Sequence, residues 1–333
     1  MKKMPYIVSE IGGNFTTFEK AALMIDQSVE CGADAVKLQT YKGETISSKK
    51  AMFDMENTGN ISQLEYFKSF EIDEGLHREV FAYAREKGIA IFTTPSHKTD
   101  VEMLEKIGCE RYKVGSDDLS NLPFLRYLAQ TKKPIVLATG MGTMKDVHDA
   151  VDAITGEGNS RLTLLHAVTA YPTHPEDANL GAMVAMMCEF PNLDVGYSDH
   201  TLGTAACIYA AALGAKMIEK HFTYDKNADG PDHMHAAEAA DLKYIVDTIR
   251  NQVVLYGSGI KMPAASEQST RKNNRKSVVA AKDMNEGVKL TFECLEVKRP
   301  GYGIHPRYLH QLVGRTLSRN VEEDDVLHWE DLA

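Results

Sequence analysis

Eight short runs of β-branched and apolar residues recur through the chain: Tyr6 to Ile11, Ala35 to Gln39, Ile89 to Thr94, Arg111 to Val114, Pro134 to Thr139, Leu162 to Ala167, Leu193 to Ser198 and Lys216 to Phe222. Amphipathic stretches separate and follow them, at Phe18 to Cys31, Gly75 to Lys87, Thr99 to Ile107, Leu122 to Thr131, Met144 to Thr155, Leu180 to Glu189, Leu202 to Leu213 and Leu242 to Tyr256. Strands that alternate with helices need crossover connections, which make the sheet parallel. Eight such units close into a (β/α)8 barrel, with an open doubly wound sheet as the competing arrangement. Strand entries such as Lys-Pro-Ile-Val and Gly-Ala-Lys-Met fit strands buried on both faces.

Beyond Tyr256 the rhythm stops. Residues 257–276 hold Gly-Ser-Gly, a proline and a polar, basic run without a helical period, and read as a linker after a barrel domain of residues 1–256. Residues 277–333 then carry short strands, at Ser277 to Ala281 and Leu295 to Lys298, and turn signals at Asn285-Glu286-Gly287 and Pro300-Gly301. A unit this small is marginal alone and is expected to dock, on its own barrel or on a partner's.

The formal net charge of −10 repels phosphate backbones and anionic lipid heads, which argues against nucleic acid or a membrane as partner. No run of 18 apolar residues and no secretory leader pattern occurs, so the cytoplasm is the expected location. Five scattered cysteines without a Cys-x-x-Cys pair give neither a disulfide framework nor a structural zinc site.

Barrel chemistry sits at the carboxyl ends of the strands. Those ends are polar: Glu10, then Lys37 and Gln39, Thr94, Lys113 with Ser116, His166, Ser198 with Asp199 and His200, and Glu219 with His221. Two-residue spacing puts Lys37 with Gln39, and Glu219 with His221, on one side of their strands. Two strand-end lysines in an acidic chain, joined by the hydroxyls of Thr94, Ser116 and Ser198, suit a small anion bearing phosphate. The rival chemistry is a Schiff-base lysine on Lys113 or Lys37, as in an aldolase or lyase. A barrel that only binds is a third reading, against which the strand-end acid, lysines and histidines speak. For a divalent metal the sequence offers two histidine pairs, His200 with His221 on adjacent strand ends, and His233 with His235 in Gly-Pro-Asp-His-Met-His. Gly140-Met141-Gly142 is read as a tight turn that contributes backbone donors.

The strings Ser9-Glu10-Ile11-Gly12-Gly13-Asn14, Val36-Lys37-Leu38-Gln39-Thr40, Tyr112-Lys113-Val114-Gly115-Ser116, Tyr197-Ser198-Asp199-His200-Thr201, Glu219-Lys220-His221-Phe222-Thr223, Gly230-Pro231-Asp232-His233 and Val297-Lys298-Arg299-Pro300-Gly301 resemble, in order, the sialic acid (N-acetylneuraminate) synthase family. The resemblance spans nearly the whole chain. It implies a TIM barrel followed by an antifreeze-like SAF domain, a domain-swapped homodimer, and condensation of phosphoenolpyruvate with an N-acylated hexosamine to a nine-carbon 2-keto acid. The sugar would be N-acetylmannosamine or a related 6-deoxy di-N-acetyl sugar; legionaminate and pseudaminate synthesis are the alternatives. Carried over, the metal, usually Mn2+ with Mg2+ or Co2+ as substitutes, falls on His200 and His221. Phosphoenolpyruvate falls on Lys37, Thr94, Lys113, Ser116 and Ser198, and the sugar on Gln39, Tyr171 and Asp232. Arg299 would reach the N-acyl group from the other protomer. Glu10, or Asp118 in place of the family's glutamate, would activate water.

Overall fold

In the computed structural model the chain divides into two compact units, Met1–Gly257 and Ser258–Ala333, and residues 4–53 and 60–333 are described below. In the first unit eight parallel strands close a barrel: β1 Tyr6–Glu10, β2 Ala35–Thr40, β3 Ala90–Pro95, β4 Tyr112–Val114, β5 Ile135–Ala138, β6 Leu162–Ala167, β7 Asp194–Asp199 and β8 Met217–His221. Each strand pairs with its sequence neighbours, and β8 returns to β1 with Glu10 opposite His221. That closing contact excludes the open sheet.

Eight helices wrap the barrel: α1 Phe18–Cys31, α2 Glu74–Glu86, α3 Lys98–Ile107, α4 Leu122–Gln130, α5 Met144–Gly156, α6 Leu180–Glu189, α7 Ala205–Leu213 and α8 Ala239–Tyr256. Their starts carry capping chemistry: Thr143 and Asp146 bond each other's backbone at α5, and Asp73 accepts the Leu76 N–H at α2. Gly32 ends α1 at φ 83°, a left-handed conformation that a side chain would strain. Between helices and sheet lies one core, including Val36, Leu38, Phe81, Leu104, Leu137, Leu164 and Ile218.

Two segments differ from the sequence expectations. α7 starts at Ala205, because Leu202 and Gly203 belong to the loop that carries His200 away from β7. α8 starts three residues early, at Ala239, because Glu238 and Asp241 cap it reciprocally. In the stretch from 41 to 73, which the strand–helix rhythm leaves unassigned, the described residues form two short helices, Gly43–Ile46 and Gln63–Ser69, and a short antiparallel pair, Met52–Phe53 and Ile61–Ser62. Its aromatic side chains pack edge to face, Tyr41 on Phe67 and Phe53 on Tyr66, each at 5.3 Å.

The second unit has its own core of Val278, Leu290, Leu295, Ile304, Leu312, Leu317 and Leu327. β9 Ser277–Ala280 runs antiparallel to β10 Leu295–Lys298. The polar stretch read as a linker is not irregular throughout: Gln268–Asn274 is a helix. It lacks a helical period because none of its residues is buried, and a hydrogen bond from the Gly301 N–H to the Lys272 carbonyl ties it to the unit.

Candidate active site

A cavity of about 270 Å³ opens at the carboxyl ends of the barrel strands. Strand register explains how its floor is assembled. Glu219 of β8 lies level with Ser198 of β7, and Glu10 of β1 lies level with Lys37 of β2, so each pair faces the barrel interior together.

Lys113 Nζ and Ser198 Oγ both donate to Glu219 Oε1, at 2.6 and 2.8 Å. Burial alone would raise the Glu219 carboxyl, but the charges of Lys113 and Lys37 outweigh it and hold the group below the usual carboxylate range. Its second oxygen, Oε2, is buried without a hydrogen-bond partner while the residue lines the cavity. Lys37 bonds Thr94 Oγ1 at 3.0 Å and pairs with Glu10. Desolvation pulls the Lys37 ammonium down to about 7, against the opposing field of Glu219. Gly140 completes this end: its N–H reaches Ser116 Oγ at 3.0 Å. A side-chain carbon on Gly140 would collide with the hydroxyls of Thr169 and Ser116, so the tight turn needs glycine.

A group of imidazoles gathers at the same strand ends. The rings of His200 and His221 are 5.4 Å apart, and those of His221 and His235 are 5.0 Å apart. Tyr171 packs on His200 at 4.3 Å and on His235 at 5.2 Å. Burial lowers all three histidines, His200 to about 4 and His235 to about 3, which leaves neutral rings with lone pairs to offer. Asp232, raised to about 6 by burial, sits 3.3 Å from His221 Nδ1 and accepts the Gln39 amide at 3.4 Å. His221, His235 and Asp232 bring ligand atoms within 4.8 Å of one another, a donor set that fits a divalent transition-metal ion.

Lys37, Gln39, Thr94, Lys113, Ser116, Tyr171, Ser198, His200, His221 and Asp232 therefore share this one cavity. Glu10 and Asp118, also singled out from the sequence, do not. Glu10 is fully buried beneath the wall, where it pairs with Lys37 and accepts the Gly12 N–H at 2.6 Å. Asp118 turns aside to accept from the Asn121 amide at 2.8 Å, and its neighbour Asp117 lines the cavity instead. Burial raises Asp118 to about 6. Arg299 is exposed in the second unit, directly after β10.

The metal-ligand candidates also divide differently from the two sequence pairs. His233 bonds Thr223 Oγ1 at 2.6 Å and stays out of the cavity, whereas His235, two residues on, turns toward His221. His166 Nε2 donates to the Ala178 carbonyl oxygen at 2.9 Å and lies outside the residues that line the cavity. Sequence reasoning placed Glu219 at a strand end beside His221 but gave it no role in the site. It also missed the wall of Tyr41, Ile46, Phe53, Tyr66 and Phe67.

Comparison with known proteins bears on family and fold. The NeuB family profile matches residues 24–261 and the SAF domain profile residues 275–333. N,N'-diacetyllegionaminic acid synthase of Campylobacter jejuni is 36% identical over 332 residues, 98% of this chain and 99% of that protein. Human N-acetylneuraminate-9-phosphate synthase is 33% identical over 330 residues, 97% of this chain and 91% of that protein. The crystal structure of N-acetylneuraminic acid synthetase from Leptospira borgpetersenii, in complex with citrate, superposes with a TM-score of 0.72 at 29% identity, covering 81% of this chain and 90% of that one. The chain described here belongs to the NeuB family, and its C-terminal unit is a SAF domain.

Proposed function

We propose that this enzyme condenses phosphoenolpyruvate with the open-chain aldehyde of an N-acylated hexosamine, giving a nine-carbon 2-keto acid of the sialic acid type and inorganic phosphate. The observation that carries the reading is that one cavity is lined by two sets of groups. Lysines and hydroxyls form one set, and neutral imidazoles with a carboxylate form the other. The first suits phosphoenolpyruvate and the second an electrophilic carbonyl.

Lys37 and Lys113 hold the phosphate and carboxylate, while Thr94, Ser116 and Ser198 add directional bonds. Gln39, Tyr171 and Asp232 orient the sugar. His200, His221 and their neighbours would hold a divalent ion, Mn2+ by preference, which would supply Lewis-acid polarisation of the aldehyde oxygen. C3 of phosphoenolpyruvate forms the new bond to the aldehyde carbon, whose oxygen takes a proton to become a hydroxyl. C2 is left electron-poor, water adds there, and the adduct expels phosphate to leave the ketone. The carboxylate that takes the proton from water is assigned to Glu219, which lines the cavity and keeps one oxygen without a hydrogen bond, rather than to the enclosed Glu10 or the diverted Asp118. Glu10 keeps Lys37 in place.

The apolar wall of Tyr41, Ile46, Phe53, Tyr66 and Phe67 suits a sugar with a methyl group at C6 and a second acyl group, so the 6-deoxy di-N-acetyl sugar is the favoured substrate over N-acetylmannosamine. Large apolar side chains exposed on α7 and α8, Tyr209, Leu213, Tyr244, Val254 and Leu255, support a homodimer. The resemblance adds that this dimer is domain-swapped. The proposal is tested by following phosphate release from phosphoenolpyruvate against a panel of N-acylated hexosamines. Sugar-dependent release is expected, and borohydride trapping of Lys37 or Lys113 with a keto acid would instead revive the Schiff-base reading.

A further inference from the structure

We propose that His235 is a third imidazole ligand of the metal, added to the strand-end pair His200 and His221, and that it sets which ions this site accepts. The inference rests on the reading above that a divalent ion works at this end of the cavity.

His235 has no exposed side-chain surface, yet neither of its ring nitrogens has a hydrogen-bond partner among the described residues. A neutral imidazole always has one N–H to donate and one lone pair to offer, and folded proteins rarely bury both unmet. His233, two residues earlier, shows the ordinary solution, a bond to Thr223. His235 instead points at the ring of His221, whose Nδ1 is likewise buried without a hydrogen bond. Asp232 lies beside both, 3.3 Å from His221 Nδ1 and 3.8 Å from His235 Nε2.

Donors bound to one ion at about 2.1 Å stand no more than about 4.2 Å apart. The donors of His221, His235 and Asp232 already lie within 4.8 Å of one another, so small rotations of the rings would close them on an ion. His200 stands outside that close group, its ring 5.4 Å from that of His221, and its Nδ1 is committed to the Val168 carbonyl at 2.6 Å, which leaves Nε2 as the nitrogen it can offer a metal. Local chain geometry delivers His235 there. The one-turn helix His233–His235 follows Asp232, and the next two residues are pinned as the Ala237 N–H bonds the His221 carbonyl at 2.7 Å. The loop is thereby stitched to the end of β8, beside the histidine it joins.

A third nitrogen donor has a chemical consequence. Mg2+ binds oxygen and keeps its waters, whereas imidazole affinity rises from Mn2+ through Co2+. The site should therefore reject Mg2+ and prefer Co2+ over Mn2+ in affinity more steeply than a two-histidine site does.

The test uses chelator-stripped protein, with Mn2+ binding followed by the electron paramagnetic resonance of free Mn2+. His235→Phe, which fills the same space without a ligand atom, should weaken Mn2+ binding at least about tenfold and reduce the preference for Co2+. His200→Ala and His221→Ala are measured beside it. If these two abolish binding while His235→Phe matches the wild type in affinity and in the ratio of Co2+ to Mn2+, the inference is overturned and the metal reading stands. If none of the three changes binding, the metal reading itself fails. Should His235→Phe not fold, the wild-type protein loaded with Co2+ decides by NMR. Three sets of metal-shifted imidazole signals support His235 as a ligand, and two refute it.

Discussion

Asp199 and Lys220 pair at 2.8 Å on the outward face of β7 and β8, in register, each one residue before a histidine that faces the cavity. Asp199 also accepts from the Tyr197 hydroxyl at 3.1 Å, the Thr201 N–H at 2.9 Å and the Cys207 thiol at 3.3 Å, while Lys220 bonds the Thr201 carbonyl. Both side chains are fully enclosed between barrel and helices. Lys220→Met would leave the carboxylate buried and unpaired, at a cost of about 3–5 kcal/mol. Urea denaturation should show that loss, and the double variant Asp199→Leu with Lys220→Met should lose less. Equal losses in the two would mean that the pair is not what fixes these strand ends.

Lys113 stands where the anion is expected, so Lys113→Met should weaken phosphoenolpyruvate binding by roughly 30-fold, or about 2 kcal/mol for one charge-assisted contact. Calorimetric titration at fixed salt measures it. Because Glu219 would lose the same partner, its carboxyl should also rise, and activity should acquire a new acid limb.

Lys37 titrates inside the working range. Burial favours the neutral amine and brings the group down to about 7, so the ammonium is present below that pH and is lost as pH rises through it. An anion needs the ammonium. The KM for phosphoenolpyruvate should therefore climb above about pH 7, by up to about tenfold per unit if Lys37 alone limits binding. Lys37→Arg, charged throughout, should hold KM flat over the same interval. A wild-type KM that is level from pH 6 to 9 would contradict this assignment.

Arg299 is tested in mixtures. If it serves the site of a second subunit, Arg299→Ala and His200→Ala are each inactive, and subunit exchange between them should restore about a quarter of wild-type activity by random pairing within a dimer. Demonstrated exchange without recovery would confine Arg299 to another role.

The barrel was legible because strands buried on both faces leave continuous apolar runs, and because their polar last residues announce where the cavity lies. What the sequence hides is direction. Glu10 and Glu219 look alike as strand-end carboxylates, yet register pairs Glu10 with Lys37 beneath the wall and leaves Glu219 on the floor. His233 and His235 look like one ligand pair, but a single turn of helix sends them to different partners. Asp117 and Asp118 are separated in the same way, by a turn from Ser116 to Asp118 that follows a three-residue strand. The aromatic wall was out of reach for another reason. It comes from a segment with neither strand nor helix period, whose side chains meet the cavity only once the short pair of Phe53 and Ile61 has folded it back.

The central claim is that water adds at C2 of phosphoenolpyruvate after carbon–carbon bond formation, and one isotope measurement addresses it directly. Phosphoenolpyruvate labelled with oxygen-18 in its bridging position is incubated with the enzyme, a divalent metal and the 6-deoxy di-N-acetyl hexosamine, and both products are weighed by mass spectrometry. The account predicts phosphate released only when sugar is present, carrying the label, with an unlabelled nine-carbon keto acid. Label retained in the keto acid, or phosphate released equally without sugar, would contradict it.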